Sequence, residues 1–190
     1  MTAYDLIADD YEKFFDKESY AEEDLELSKM LPNPEGLRVV DIGCGTGLGY
    51  NLLKRKILWK SFSYLGIDPS EKMLDKFALK TVDLQVEWMQ TTFEHFKSSE
   101  KFDLAISTYG SVSYVKPKSM KKLRTILNKG GRFFLVFYKD DYRPITHEVF
   151  KDKVEMHNFK FSEYKPYLKK VSKDVHFKEW HNYIIAEGTV

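Results

Sequence analysis

The 190-residue sequence is poor in cysteine (one), proline (six) and glycine (ten), and it has almost no net charge. Each shortage closes a class of function. A lone thiol, Cys44, cannot form an internal disulfide, and no Cys/His set has the spacing of a structural zinc site. A reducing cytoplasmic setting fits such a chain, and no metal is expected. Thirty basic residues against 29 acidic leave a formal charge of +1, without the positive excess that steers a protein onto nucleic acid or an anionic membrane. No apolar run reaches the ~20 residues of a membrane span, and Met1 to Leu6 lacks the basic start of a signal peptide.

What is present is 43% hydrophobic and 15% aromatic residues, enough for one core, so a single domain over residues 1–190 is expected. Tyr4, Ile7, Ala8, Tyr11, Phe14 and Phe15 recur at helical spacing. With a second helix over Tyr20 to Leu31 they make residues 1–31 a helical cover. Pro32-Asn33-Pro34-Glu35-Gly36 then breaks the chain, because two prolines remove donors and fix φ. Over 38–190, runs at Arg38–Ile42, Phe62–Ile67, Leu84–Trp88, Phe102–Ser107 and Arg132–Phe137 alternate with helical segments, the pattern of an α/β protein with a parallel sheet. Ser70 is suited to cap the helix that carries Met73, Leu74 and Phe77. Met120, Leu123, Ile126 and Leu127 predict another helix, closed by a left-handed cap at Gly130-Gly131. At the end, Tyr164, Leu168 and Val171 suit a helix, and Val175–Trp180 and Tyr183–Ala186, joined by His181-Asn182, predict an antiparallel pair.

The chemistry lies after the first strand. Val39-Val40-Asp41-Ile42 runs into Gly43-Cys44-Gly45-Thr46-Gly47, and a helix starting near Leu48 would turn its amides back over the loop. A dinucleotide fingerprint needs Gly-x-Gly-x-x-Gly. Counted from Gly43 its last place is Leu48, and counted from Gly45 it is Tyr50, so neither register fits a pyrophosphate. Asp41-x-Gly43-x-Gly45-x-Gly47 resembles motif I of the class I S-adenosylmethionine-dependent methyltransferases. Asp68, at the end of Tyr64-Leu65-Gly66-Ile67-Asp68-Pro69-Ser70, stands where that family places an acid for both ribose hydroxyls. The segment Phe102 to Gly110 resembles motif IV, and Ile126-Leu127-Asn128-Lys129-Gly130-Gly131 resembles the stretch before strand five.

The resemblance implies a Rossmann-like seven-stranded sheet of order 3-2-1-4-5-7-6, strand seven antiparallel, with helices on both faces. It also implies S-adenosylmethionine as cofactor, leaving as S-adenosylhomocysteine. Its contacts would come from Tyr4, Tyr11, Asp41, Gly43, Cys44, Gly45, Thr46, Gly47, Asp68, Pro69, Met73, Gln90, Thr91, Thr92, Ser107 and Thr108. The sequence departs from the family at Met89-Gln90-Thr91-Thr92, where an acid often holds the adenine amino group.

The acceptor side is less marked. Tyr109 at the end of strand four and His147 after strand five are the candidate catalytic residues; each can equally be a packing or solvated side chain. Residues 5–26 hold ten acids against two lysines, an excess that favours a cationic or amine acceptor, with Asp9, Asp10 and Glu12 as its expected source. The Asp/Asn-Pro-Pro-Tyr/Phe segment of amino-methylating DNA enzymes is replaced by Ser107-Thr108-Tyr109-Gly110. A small-molecule acceptor, N- or O-methylated by a monomer or homodimer, is therefore expected ahead of protein or nucleic acid. A cofactor-binding regulator without turnover and an oxidoreductase with an irregular turn are the competing readings.

Overall fold

The computed structural model of the chain describes residues 2–15, 18–152 and 156–190. Two helices come first, α1 (Ala3–Phe15) and α2 (Glu18–Met30). Strands and helices then alternate: β1 (Arg38–Ile42), α3 (Leu48–Lys54), β2 (Ser63–Asp68), α4 (Glu71–Lys80), β3 (Val86–Gln90) and β4 (Phe102–Ser107). The rest comprises α5 (Leu123–Ile126), β5 (Leu127–Tyr138), α6 (Ile145–Val149), α7 (Phe161–Val171), β6 (His176–Trp180) and β7 (Tyr183–Thr189). The strands form one sheet in the expected order, β3-β2-β1-β4-β5-β7-β6. β1 pairs in parallel with β2 and β4, whereas β7 is antiparallel to both β5 and β6.

Alternation along the central strands sends side chains to two cores. On one face Val39, Tyr64, Leu104 and Ile106 meet Leu52, Leu53 and Phe77. On the other, Val40, Ile42, Ala105 and Phe133 meet Leu123, Tyr164 and Leu168. Tyr164 is fully buried, and its hydroxyl donates to the carbonyls of Val112 (3.1 Å) and Val115 (2.6 Å), tying α7 to the short 3-10 turn that follows β4. Between β3 and β4 residues 91–101 form no helix. Phe93 and Phe96 fill that space from a loop, with exposures of 2% and 1%. Lys122 Nζ donates to the carbonyls of Phe93 (2.8 Å), Glu94 (3.0 Å) and Phe96 (2.5 Å), so one ammonium satisfies three acceptors that a helix would have satisfied itself.

Three sequence expectations shift. β3 is Val86–Gln90 rather than Leu84–Trp88 because Asp83 builds a turn there: its side chain accepts from the Gln85 amide (3.0 Å) and the Tyr50 hydroxyl (2.8 Å). The segment around Met120 is a 3-10 turn (Pro117–Lys122) and one short helical turn, α5. β5 then starts at Leu127, so Gly130 (φ 78°) is a left-handed residue inside the strand and not a helix cap. Its amide donates to the carbonyl of Val190 and it sits where the β4–β5 register shifts, a bulge rather than a terminus. Phe14 and Phe15 belong to α1, but their side chains lie outside the described residues. No helix among the described residues is long and apolar enough to cross a membrane.

Candidate functional site

The carboxyl ends of β1, β2 and β4 meet at the glycine-rich turn. Gly43, Gly45 and Gly47 all have positive φ (74°, 52° and 89°). The turn is fastened to β2, since the amides of Gly43 (2.8 Å) and Cys44 (3.1 Å) both donate to the Ile67 carbonyl. Gly45 faces open space: a methyl group in place of its hydrogen would touch nothing within 4 Å. A ligand can therefore approach the backbone at Gly45, while Gly47 is closed by the ring of Phe77.

Asp68 closes the cradle from β2. It accepts from the Gly45 amide (3.0 Å) and the Ser70 amide (2.8 Å), and it is 8% exposed. Burial pushes its carboxyl up to about 6; the two amide bonds oppose the shift and nearby Asp5 adds to it. Each oxygen keeps a further lone pair for a ligand hydroxyl. Next along the chain, Ser70 caps α4 by accepting from the Met73 amide (3.3 Å), as its type and place predict. The Ser70 hydroxyl also donates to Asp5 (2.6 Å), which holds α1 across the start of α4. Sequence reasoning counted Asp5 within the N-terminal stretch Tyr4-Asp5-x-Ile7-Ala8-x-x-Tyr11 of the family resemblance but gave it no role.

Asp41 lies deeper. It is fully buried, one oxygen accepts from the Tyr64 hydroxyl at 2.5 Å, and the other, Oδ1, has no partner. Burial raises its carboxyl to about 7, the Tyr64 bond opposing this and Asp68 adding to it. α3 can close on Asp41 only because residue 49 is glycine; a Cβ there would stand 2.3 Å from Oδ2. Because the folded-state value exceeds the ordinary ~3.9 of an unfolded Asp, the contribution of this group to stability is fully present below about pH 4. It is lost as pH rises through about 7. Wild-type stability should accordingly fall with pH over that window by up to about 1.4 kcal/mol per unit from this group. Urea midpoints measured from pH 5 to 8 should slope less for Asp41→Asn; equal slopes would remove Asp41 as the cause.

The other expected cofactor residues divide into those that face the cradle and those already engaged. Pro69, Thr46, Thr91 and Thr92 are half-buried around it and Gln90 is exposed at the end of β3. Gln90 reaches the Pro69 carbonyl at 3.5 Å, and the Thr91 amide donates to the Asp68 carbonyl at 3.0 Å. Thr92 bonds His95 (3.0 Å). Ser107 is fully buried and its hydroxyl donates to the Ile42 carbonyl (2.7 Å), so it joins β4 to β1; Thr108 is buried beside it. Cys44 is a packing group, with its sulfur where a Gly66 Cβ would lie and its thiol pushed well up by burial. Met73 is 1% exposed, under Ile7 and Ala8 of α1.

Tyr4 and Tyr11 stand 5.9 Å apart, ring to ring, and Tyr4 continues to Tyr114 at 6.0 Å. Burial raises both phenols, with neighbouring Tyr114 and the charge of Asp68 adding to the shift. Tyr109 (φ 49°) donates to Asp24 of α2, and burial with that bond holds its phenol far above the normal range. His147 bonds Tyr114 (2.8 Å); burial, then Arg143 and His157, lower its ring so that it is neutral near pH 7. Asp9, expected to serve the acceptor, instead pairs with Lys76 of α4 at 3.3 Å. The side chain of Glu12 lies outside the described residues. Carboxylates of α2 reach aromatic side chains instead: Asp24 accepts from the Tyr109 hydroxyl, Glu26 accepts from Trp180 Nε1 (2.8 Å), and Glu23 adds to the upward shift of the Tyr183 phenol. Among the described residues no group of three His, Cys, Asp or Glu side chains could hold a metal ion.

Residues 39–131, from β1 through the turn, Asp68 and β4 to the start of β5, match the model of a methyltransferase domain. Over that stretch the chain is similar to methyltransferase domains. The chain is 32% identical over 129 residues to the uncharacterized protein MJ0638 of Methanocaldococcus jannaschii, covering 66% of the chain and 51% of that relative. The chain thus spans about half the length of the curated relative it matches. Its fold is shared with an S-adenosylmethionine-dependent methyltransferase from Mesorhizobium loti (TM-score 0.69, 19% identity, 87% of this chain and 96% of that one). It is also shared with magnesium protoporphyrin IX methyltransferase from Synechocystis, solved with bound S-adenosylhomocysteine (TM-score 0.61, 17% identity, 90% and 82%). At the end of β2 the open backbone of Gly45 lies beside the Asp68 carboxylate, and Asp41 Oδ1 is buried without a partner below the turn's start.

Proposed function

We propose that the chain transfers a methyl group from S-adenosylmethionine to a small-molecule acceptor, at nitrogen or oxygen, as a cytoplasmic monomer or homodimer. The observation that carries this reading is Asp68, buried at the end of β2 and bonded to the Gly45 amide of the turn. It presents carboxylate lone pairs for the two ribose hydroxyls. The bound cofactor supplies an electrophilic methyl on a cationic sulfur. Gln90 and Thr91, at the rim of β3, are the groups placed for the adenine edge. The backbone of Gly43 to Gly47 would hold the amino acid end, and Tyr4 and Tyr11 of α1 would cover the site.

Displacement at a methyl carbon needs alignment and dryness more than a strong base. Tyr109 serves as a wall, since its phenol is bound to Asp24 and held far from ionisation. For a hydroxyl acceptor, His147, oriented by Tyr114, is the candidate base. Calorimetric titration with S-adenosylhomocysteine and, separately, NADH tests the cofactor: the first should bind and the second should not. Binding of NADH alone would sink the reading. A regulator that only binds is separated by detecting S-adenosylhomocysteine as product with a panel of acceptors.

A further inference from the structure

Beyond the ends of β4 and β5 stands a wall of tyrosines with Trp180. The Tyr109 and Tyr183 rings stand 5.9 Å apart, and Tyr142 lies 6.4 Å from Tyr183. Burial raises the Tyr183 phenol, with Tyr142, Glu23, Tyr11 and Tyr20 adding to the shift, and its ring stacks on Tyr138 (5.6 Å) and Trp180 (5.4 Å), so Tyr109 and Tyr142 are the more exposed faces of the wall. Glu23 is anomalous within it. Its Oε2 atom is buried without a hydrogen-bond partner, and burial raises its carboxyl, with Glu26 and Asp24 adding to the shift against His181. Buried polar atoms are normally paired, so an orphan facing aromatic rings marks a missing donor. Tyr11 of α1 adds to the Tyr183 shift and is itself raised by burial, Tyr114 and Asp68.

We propose that this wall receives the methyl acceptor and that the acceptor is an amine, its nitrogen held against the tyrosine faces with Glu23 as counter-charge. The inference rests on the methyltransferase reading above and adds the substrate class. Aromatic faces attract ammonium groups, and an N–H is the donor that Glu23 Oε2 lacks. An ammonium must lose a proton before it can attack, and Glu23, raised by burial, takes that proton. The nitrogen lone pair then forms the N–C bond as the C–S pair returns to sulfur, so one positive charge passes from sulfur to nitrogen. Carboxylates on the acceptor wall stabilise charge that arrives there. They would do nothing comparable for a phenolate, which ends neutral, and they would repel a carboxylate acceptor.

The test uses the intact chain and two probes, choline and its uncharged isostere dimethylbutanol, titrated by calorimetry in the presence of S-adenosylhomocysteine. Choline should bind at least tenfold tighter than the isostere. Glu23→Gln should lose most of that preference and Tyr20→Leu should weaken choline several-fold, with S-adenosylhomocysteine binding reporting that each variant is folded. In turnover, benzylamine should be methylated and phenol should not. Equal binding of the two probes, or a preference that survives Glu23→Gln, while S-adenosylhomocysteine still binds, would overturn the amine proposal alone. Failure of S-adenosylhomocysteine to bind the wild-type chain would overturn the methyltransferase reading and this inference with it.

Discussion

Gly47→Val should destabilise the protein by roughly 3–5 kcal/mol, the largest loss expected from any single change in the cofactor turn. Two costs combine. The backbone has φ 89°, a left-handed conformation that a β-branched residue resists. An added Cβ would also lie 2.2 Å from Cδ2 and 2.4 Å from Cε2 of Phe77. That ring has nowhere to go, because it is 1% exposed and held at 5.9 Å by each of Tyr50, Tyr64 and Trp88. Urea unfolding should show the loss directly, and Tm should fall by about 10 °C or more. Gly45→Ala is the comparison, since its φ of 52° is also left-handed but the space beside it is open. It should cost only about 1–2 kcal/mol. A Gly47→Val protein within 1 kcal/mol of wild type would show that the Phe77 cluster yields, contrary to its burial.

Asp68→Ala should weaken S-adenosylhomocysteine binding by about 1–3 kcal/mol, roughly five- to 150-fold, with the fold retained. The change removes the ribose acceptor and leaves the Gly45 and Ser70 amides without their partner. Loss of the first bond also frees the turn that Asp68 holds. The carboxyl titrates at about 6 in the ligand-free protein. Affinity should therefore be full above about pH 7 and decline as pH falls through 6, where the protonated carboxyl group must first lose its proton to accept two hydroxyls. Asp68→Asn should bind weakly with a flat pH profile over the same range. An Asp68→Ala variant with wild-type affinity would remove this residue from the site.

Much of this arrangement is legible from local chemistry. The buried run Val39–Ile42 followed by alternating glycines defines strand, turn and the start of α3, because only residues tolerant of positive φ can make that turn. Asp68, Ser70 and the apolar face of α4 follow from strand-end and capping rules. Local signals misplaced β3 by two residues: Leu84 looks like a core residue but is fully exposed, displaced by the turn that Asp83 builds. They also misread Gly130, because a glycine before a strand looks alike whether it ends a helix or makes a bulge. The aromatic wall had no local signature, since its tyrosines come from residues 109 to 183 and meet only when β7 lies against β5.

Sequence alone therefore determined the fold class, the glycine-rich turn and the acid at the end of β2, since each depends on backbone conformations and periodicities set by neighbouring residues. Tertiary structure decided which of those residues are free to act. It committed Ser107 to the Ile42 carbonyl, buried Cys44 and Met73 as packing groups, and turned Asp9 to Lys76. It also brought Glu23 of α2 to the tyrosines beyond β5, because partners so far apart in the chain are chosen by the packing of helices on the sheet.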